Sequence, residues 1–203
     1  MRAHTVLECP ALVPGILLYS ATEITPLWQA SEAFLHRHNV APPFWAFAWP
    51  GSQALACYVA QHPALVAGKR VLDFAAGSGL AGIACARAGA MVEVADIDSL
   101  ARVAMQMNAA ANEVVLDILT EDVVGQDCRW DVILCGDICY EAPMTAHILP
   151  WLRQCAGQAV VIIAEPGRSY APQGDFIELA RICVPTSLDL EEGTSRDVTI
   201  MQL

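Results

Sequence analysis

The run Lys69-Arg70-Val71-Leu72-Asp73-Phe74-Ala75-Ala76-Gly77-Ser78-Gly79-Leu80-Ala81-Gly82 constrains the fold more than any other stretch of the chain. Val71, Leu72 and Phe74 suit a strand covered on both faces, as strands of parallel sheets are. Gly77 and Gly79 let the backbone turn sharply and pass close to a ligand. Leu80–Ala88 then reads as a helix leaving the turn. Strand, glycine turn and helix in that order make the local geometry that cradles a nucleotide-like molecule.

The alternation continues beyond the turn. Strands are expected at Arg70–Phe74, Met91–Ala95, Val114–Ile118, Asp131–Cys135 and Ala159–Ala164, and helices at Leu80–Ala88, Ser99–Asn112, Pro143–Cys155 and Phe176–Cys183. Pro185–Leu190 and Val198–Gln202 read as two last strands with no helix between them, hence an antiparallel pair. The expected class is α/β: a Rossmann-like, seven-stranded, mostly parallel sheet with helices on both faces. Residues 1–66 form a helical and aromatic prefix, with helices at Thr22–Asn39 and Ser52–Gln61, and residues 67–203 form the cofactor-binding core of a single domain.

Composition narrows the partners. Eleven Lys and Arg stand against 22 Asp and Glu, a formal net charge of −11, which argues against a nucleic-acid surface and favours a basic partner. Neither a leader pattern nor a long apolar run is visible, so a soluble, cytoplasmic protein without membrane contact is expected. The eight cysteines contain no CxxC spacing, and most lie in apolar runs such as Ile133-Leu134-Cys135. They read as reduced core residues, with no metal site expected.

In such a sheet, ligands bind beyond the carboxyl ends of the strands. Acids stand at four of those ends: Asp73, Asp96-Ile97-Asp98, Glu121-Asp122 and Asp137 in Gly136-Asp137-Ile138-Cys139-Tyr140. Asp98 suits a helix cap. Asp73 within Val-Leu-Asp-Phe-Ala costs stability unless a polar group meets it. A carboxylate there would repel a pyrophosphate but suits S-adenosylmethionine, which carries hydroxyls and positive charge. Gly77, Gly79 and Gly82 also satisfy GxGxxG, so these residues alone leave a nicotinamide enzyme open.

Asp73-Phe-Ala-Ala-Gly-Ser-Gly79 resembles the first motif of the seven-strand S-adenosylmethionine-dependent methyltransferases, with Ala75 where glycine is frequent. Asp137-Ile-Cys-Tyr140 is similar to the Asp-x-x-Tyr motif of members that methylate side chains of intact proteins. Pro43 to Leu55, Gly68 to Asp73, Ala95 to Asp98, Trp130 to Glu141 and Pro166-Gly-Arg168 resemble the family of electron-transfer flavoprotein β-subunit lysine methyltransferases, a bacterial type here. Glu165 stands where aspartate is usual in that family, and Val198-Thr-Ile-Met201 replaces an aromatic strand.

The resemblance implies a protein-lysine methyltransferase using S-adenosylmethionine, with the flavoprotein β-subunit as a protein substrate bearing exposed lysines. It implies that Asp73, Ala75, Gly77 and Gly79 cradle the cofactor and that Trp49 and Gly51 lie near its methionyl end. By the same resemblance, Asp96 with Ile97 holds the ribose, Asp122 holds the adenine amino group, and Asp137 and Tyr140 are catalytic, Asp137 also touching the cofactor. A small-molecule N-methyltransferase and a non-catalytic cofactor-binding interaction protein are the alternatives on the same scaffold.

Overall fold

A computed structural model describes residues 5–21, 43–172, 174, 176–186 and 193–203. Five parallel strands form its centre: β3 (Arg70–Phe74), β4 (Met91–Ala95), β5 (Asp117–Leu119), β6 (Val132–Gly136) and β7 (Val160–Glu165). With β8 (Ile177–Pro185) and β9 (Ser195–Gln202), they make a seven-stranded sheet in the order β5-β4-β3-β6-β7-β9-β8. Strand β9 runs antiparallel to both β7 and β8. The sheet is therefore the Rossmann-like arrangement that the alternation predicts.

Alternate side chains of each strand feed different cores. Val71, Val94, Leu134 and Ile162 face α1 (Pro50–Gln61), α2 (Leu80–Arg87) and α3 (Ser99–Ala111). Leu72, Ile133, Cys135 and Ile163 face α4 (Ala142–Cys155), which contributes Ile148, Trp151 and Leu152. This period of two, with both faces apolar, is what a strand covered on two sides requires. The chain winds outward from β3 to β5 and then returns to place β6 on the other side of β3. That reversal opens a crevice at the carboxyl ends of β3 and β6, the standard ligand position of such sheets.

Two expectations are corrected. Phe176–Cys183 is not a helix: Ile177–Pro185 is strand β8, and the last antiparallel pair is β8 with β9. Glu178, Leu179, Ala180 and Arg181 favour helix locally, but Ala180, Ile182 and Val184 turn inward while Arg181 and Cys183 face solvent. That two-residue period and pairing with β9 prevail over propensity. Strand β5 is Asp117–Leu119 rather than Val114–Ile118. The expected Thr22–Asn39 helix, and residues 187–190 of the expected Pro185–Leu190 strand, lie outside the described residues.

The prefix also holds a hairpin of β1 (Val6–Glu8) and β2 (Leu18–Ser20), which the sequence reading did not anticipate. Two buried asparagines, Asn108 of α3 and Asn112 at its C-cap, dock it: Asn108 Oδ1 accepts from Tyr19 N at 2.8 Å and Asn112 Oδ1 from Leu17 N at 2.9 Å. Asn108 also donates to Ser78 O at 2.8 Å, so one helix ties the hairpin to the glycine turn.

Helix α1 begins against the ends of β6 and β7. A Cβ on Gly51 would lie 2.5 Å from Asp137 Oδ2 and 2.8 Å from Ala164 O. Substituting Gly51→Ala is expected to destabilise the fold by about 1–3 kcal/mol, as overpacking does. Thermal denaturation monitored by circular dichroism would register this as a lowered Tm, and an unchanged Tm would refute the close packing of α1.

Candidate active site

A cavity of about 480 Å³ opens along the strand ends. Its floor is the turn after β3, where Ala75 and Gly77 both have a φ of 53°. The left-handed backbone is easy for glycine and strained for alanine. On the β4–β5 side the walls carry Asp96, Ile97, Asp98, Glu121 and Asp122; on the β6–β7 side they carry Gly136, Asp137 and Arg168.

Each inner acid is already bonded within the protein. Asp96 Oδ2 accepts from Gly77 N at 2.9 Å, and Oδ1 accepts from Asp98 N at 2.8 Å. Asp98 caps α3 by accepting from Leu100 N at 2.8 Å, as its position predicts. Asp122 Oδ1 accepts from Val124 N at 3.0 Å within its loop. Asp137, itself at a φ of 55°, places Oδ2 2.5 Å from Gly51 N and Oδ1 3.2 Å from Arg168 Nη2. Asp73 is 3% exposed and accepts from Gly82 N at 2.7 Å beneath the turn.

The mouth is aromatic. The Trp49 indole donates to Phe44 O at 2.7 Å, and the Phe44 ring stands 5.8 Å from Trp49 and 5.4 Å from Tyr140. Tyr140 is 40% exposed at this rim. Burial, with smaller contributions from Glu141 and Asp96, pushes its phenol up to about 12, so the hydroxyl keeps its proton near neutrality.

A profile of lysine methyltransferases matches residues 28–181. The chain is 34% identical over 169 residues to the electron transfer flavoprotein beta subunit lysine methyltransferase of Danio rerio, covering 81% of this chain and 64% of that one. It is 34% identical to the Xenopus laevis protein of the same name, covering 82% of this chain and 68% of that one. The chain belongs to the lysine methyltransferase family. It thus spans about two thirds of the length of these relatives.

The fold is shared with magnesium protoporphyrin IX methyltransferase of Synechocystis PCC 6803 with bound S-adenosylmethionine, at a TM-score of 0.58 and 15% identity, over 91% of this chain and 86% of that one. A putative methyltransferase complexed with S-adenosylhomocysteine gives a TM-score of 0.55 at 12% identity, over 77% of this chain and 50% of that one.

In this family member, Trp49, Ala75, Gly77, Asp96, Ile97, Asp122, Asp137 and Tyr140 all line the cavity. Asp73, Gly51 and Gly79 do not: Asp73 lies under the turn, Gly51 meets Asp137, and Gly79 faces Met105. Arg168 is the wall residue that the sequence reading did not single out as a site. Its signal was the Pro166-Gly-Arg168 match, which gave no hint of an ion pair with Asp137.

Burial pushes the Asp73 carboxyl up to about 7; the Gly82 N–H pulls it down, and the Asp96 charge adds to the rise. A carboxyl whose folded-state value exceeds its ordinary 3.8 binds its proton more tightly when folded. Its contribution to stability therefore falls as pH rises from about 4 to about 7, at most by about 1.4 kcal/mol per pH unit. Asp73→Asn retains an acceptor for Gly82 and removes the titration. Tm measured across this range should decline less with pH in the variant than in the wild type, and identical slopes would contradict the buried, proton-holding Asp73.

Proposed function

We propose that this protein is an S-adenosylmethionine-dependent protein-lysine N-methyltransferase acting on the electron transfer flavoprotein β-subunit. One observation carries the reading: the Asp137-x-x-Tyr140 pair, the glycine turn and the acidic ends of β4 and β5 share one cavity rimmed by Phe44 and Trp49. The name carried by relatives in Danio rerio and Xenopus laevis supports the substrate. The prefix and core, residues 1–66 and 67–203, act as one domain in this reading, supported by the packing of α1 on α2 and β6. Eight cysteines without a disulfide suit a reducing cytoplasm.

The residues fit the cofactor. A Cβ on Gly77 would find its nearest neighbour, Trp45 Cα, only at 3.9 Å, so the turn leaves room for a ligand against its backbone. Asp96 presents a carboxylate to ribose hydroxyls beside exposed Ile97, and Asp122 presents one to an adenine amino group. Asp73 acts from below by holding the turn through Gly82, and Gly79 lets α2 start at a φ of 78°. When bound, S-adenosylmethionine supplies an electrophilic methyl on a sulfonium.

The chain must then deliver a lysine nitrogen in line and exclude water. A free lysine, with an ordinary pKa of about 10.4, arrives protonated. Asp137 already accepts from Gly51 and Arg168, and a carboxylate has about four acceptor positions, so it can also receive and orient the ammonium. Gly51 serves by fixing that carboxylate. Tyr140, which holds its own proton, is a polar wall and not the base. Phe44, Trp49 and Tyr140 give π faces suited to a cation and keep water out. The lysine proton leaves to water as the site desolvates.

Purified flavoprotein incubated with the enzyme and methyl-labelled S-adenosylmethionine should acquire label on its β-subunit. Tyr140→Ala should lower that rate by roughly 100-fold, the cost of a misplaced reacting group, while calorimetric cofactor affinity stays near the wild-type value. Label confined to small molecules would overturn the substrate, and full activity of Tyr140→Ala would remove Tyr140 from the catalytic site.

A further inference from the structure

We propose that Arg168 is the group that recognises the carboxylate at the amino-acid end of the cofactor, held ready for it by Asp137 and Glu165. The inference rests on the S-adenosylmethionine reading above. Its starting point is the uneven charge of the cavity. Asp96, Asp98, Glu121 and Asp122 line the β4–β5 side, and Arg168 is the one Lys or Arg on the wall among the described residues. Strand order puts Arg168, just past β7, across β3 and β6 from those acids.

The cofactor has the complementary polarity. Its nucleoside end offers hydroxyls and an amino group, which donate to carboxylates, and its other end sets a carboxylate beside an ammonium, a pair that matches the Arg168 guanidinium beside the Asp137 carboxylate. Only one orientation matches both ends. Reversed, the carboxylate would face four acids.

Arg168 is built to serve such a role. Its backbone N–H donates to buried Glu165 Oε1 at 2.5 Å, and its Nη2 donates to Asp137 Oδ1 at 3.2 Å. It is 22% exposed on the wall of the cavity, so the guanidinium is both anchored and in reach of a ligand. A guanidinium carries five donors in a rigid fork that matches a carboxylate, so engaging Asp137 does not exhaust it. Arg168 is thus a cofactor-binding residue, and Glu165 and Asp137 act as its positioning residues.

Decarboxylated S-adenosylmethionine, which lacks only the carboxylate, isolates this contact. By titration calorimetry the wild type should bind S-adenosylmethionine about 10- to 100-fold more tightly than the decarboxylated form, the range of a charge-assisted hydrogen bond. Arg168→Gln should bind both alike, and Arg168→Lys should recover part of the preference. A general loss of structure would weaken both ligands and leave their ratio intact. A wild type without preference, or Arg168→Gln that keeps it, overturns the role of Arg168 and leaves the methyltransferase reading standing. Failure of the wild type to bind either ligand overturns both.

Discussion

Three carboxylates at the ends of parallel strands each accept a hydrogen bond from a glycine amide, and the cavity is organised around those three bonds. Asp73 holds Gly82 at 2.7 Å, Asp96 holds Gly77 at 2.9 Å, and Asp137 holds Gly51 at 2.5 Å. Glycine permits the approach: a Cβ would sit 2.5 Å from Asp137 Oδ2 at Gly51 and 3.2 Å from Asp73 Oδ2 at Gly82. Helices α1 and α2 have no side-chain cap of their own, since Trp49 and Gly79 make no capping bond. Acids from the sheet cap them instead, satisfying early helical amides, and Asp137, paired with Arg168, places negative charge at the positive end of α1.

This arrangement links stability to chemistry. A hydrogen bond contributes about 0.5–3 kcal/mol, the upper end when the acceptor is charged, and each of these fixes one part of the cavity: the glycine turn through Asp96, the start of α2 through Asp73, and the start of α1 with the aromatic rim through Asp137. The acids are also crowded and poorly solvated. Burial raises the Asp96 carboxyl despite donors from Asp98 and Gly77, and raises Glu165 despite the Arg168 amide. Arg168 offsets that crowding on the β6–β7 side by pairing with Asp137, which is 9% exposed. The result is a preorganised site whose polar groups need little rearrangement to meet a ligand.

Much of the architecture was legible in the sequence because the parallel strands are apolar on both faces and separated by clear helical periods. Val71-Leu72-Asp73-Phe74 and Ile133-Leu134-Cys135 could hardly be anything but buried strands. Strand β8 was harder, since Glu178-Leu179-Ala180-Arg181 has helical composition and is made a strand by its partner β9, whose register no local pattern reveals. The β1–β2 hairpin was invisible for a similar reason: three-residue strands acquire their meaning from Asn108 and Asn112 on a distant helix. Within the site, the sequence showed which acids gather at the strand ends, but not that Asp73, Asp96 and Asp137 each accept from a glycine amide. Hydrogen bonds spanning 9 residues for Asp73 and 86 for Asp137 follow from topology alone.

Amide hydrogen exchange resolved by NMR at Gly51, Gly77 and Gly82 tests this organisation most directly. In the ligand-free protein the three amides should exchange as slowly as those of the central strands β3 and β6, because each is held by a carboxylate. Rapid exchange at Gly51 and Gly77, at rates typical of open loops, would contradict an account in which strand-end acids build the site before any ligand arrives.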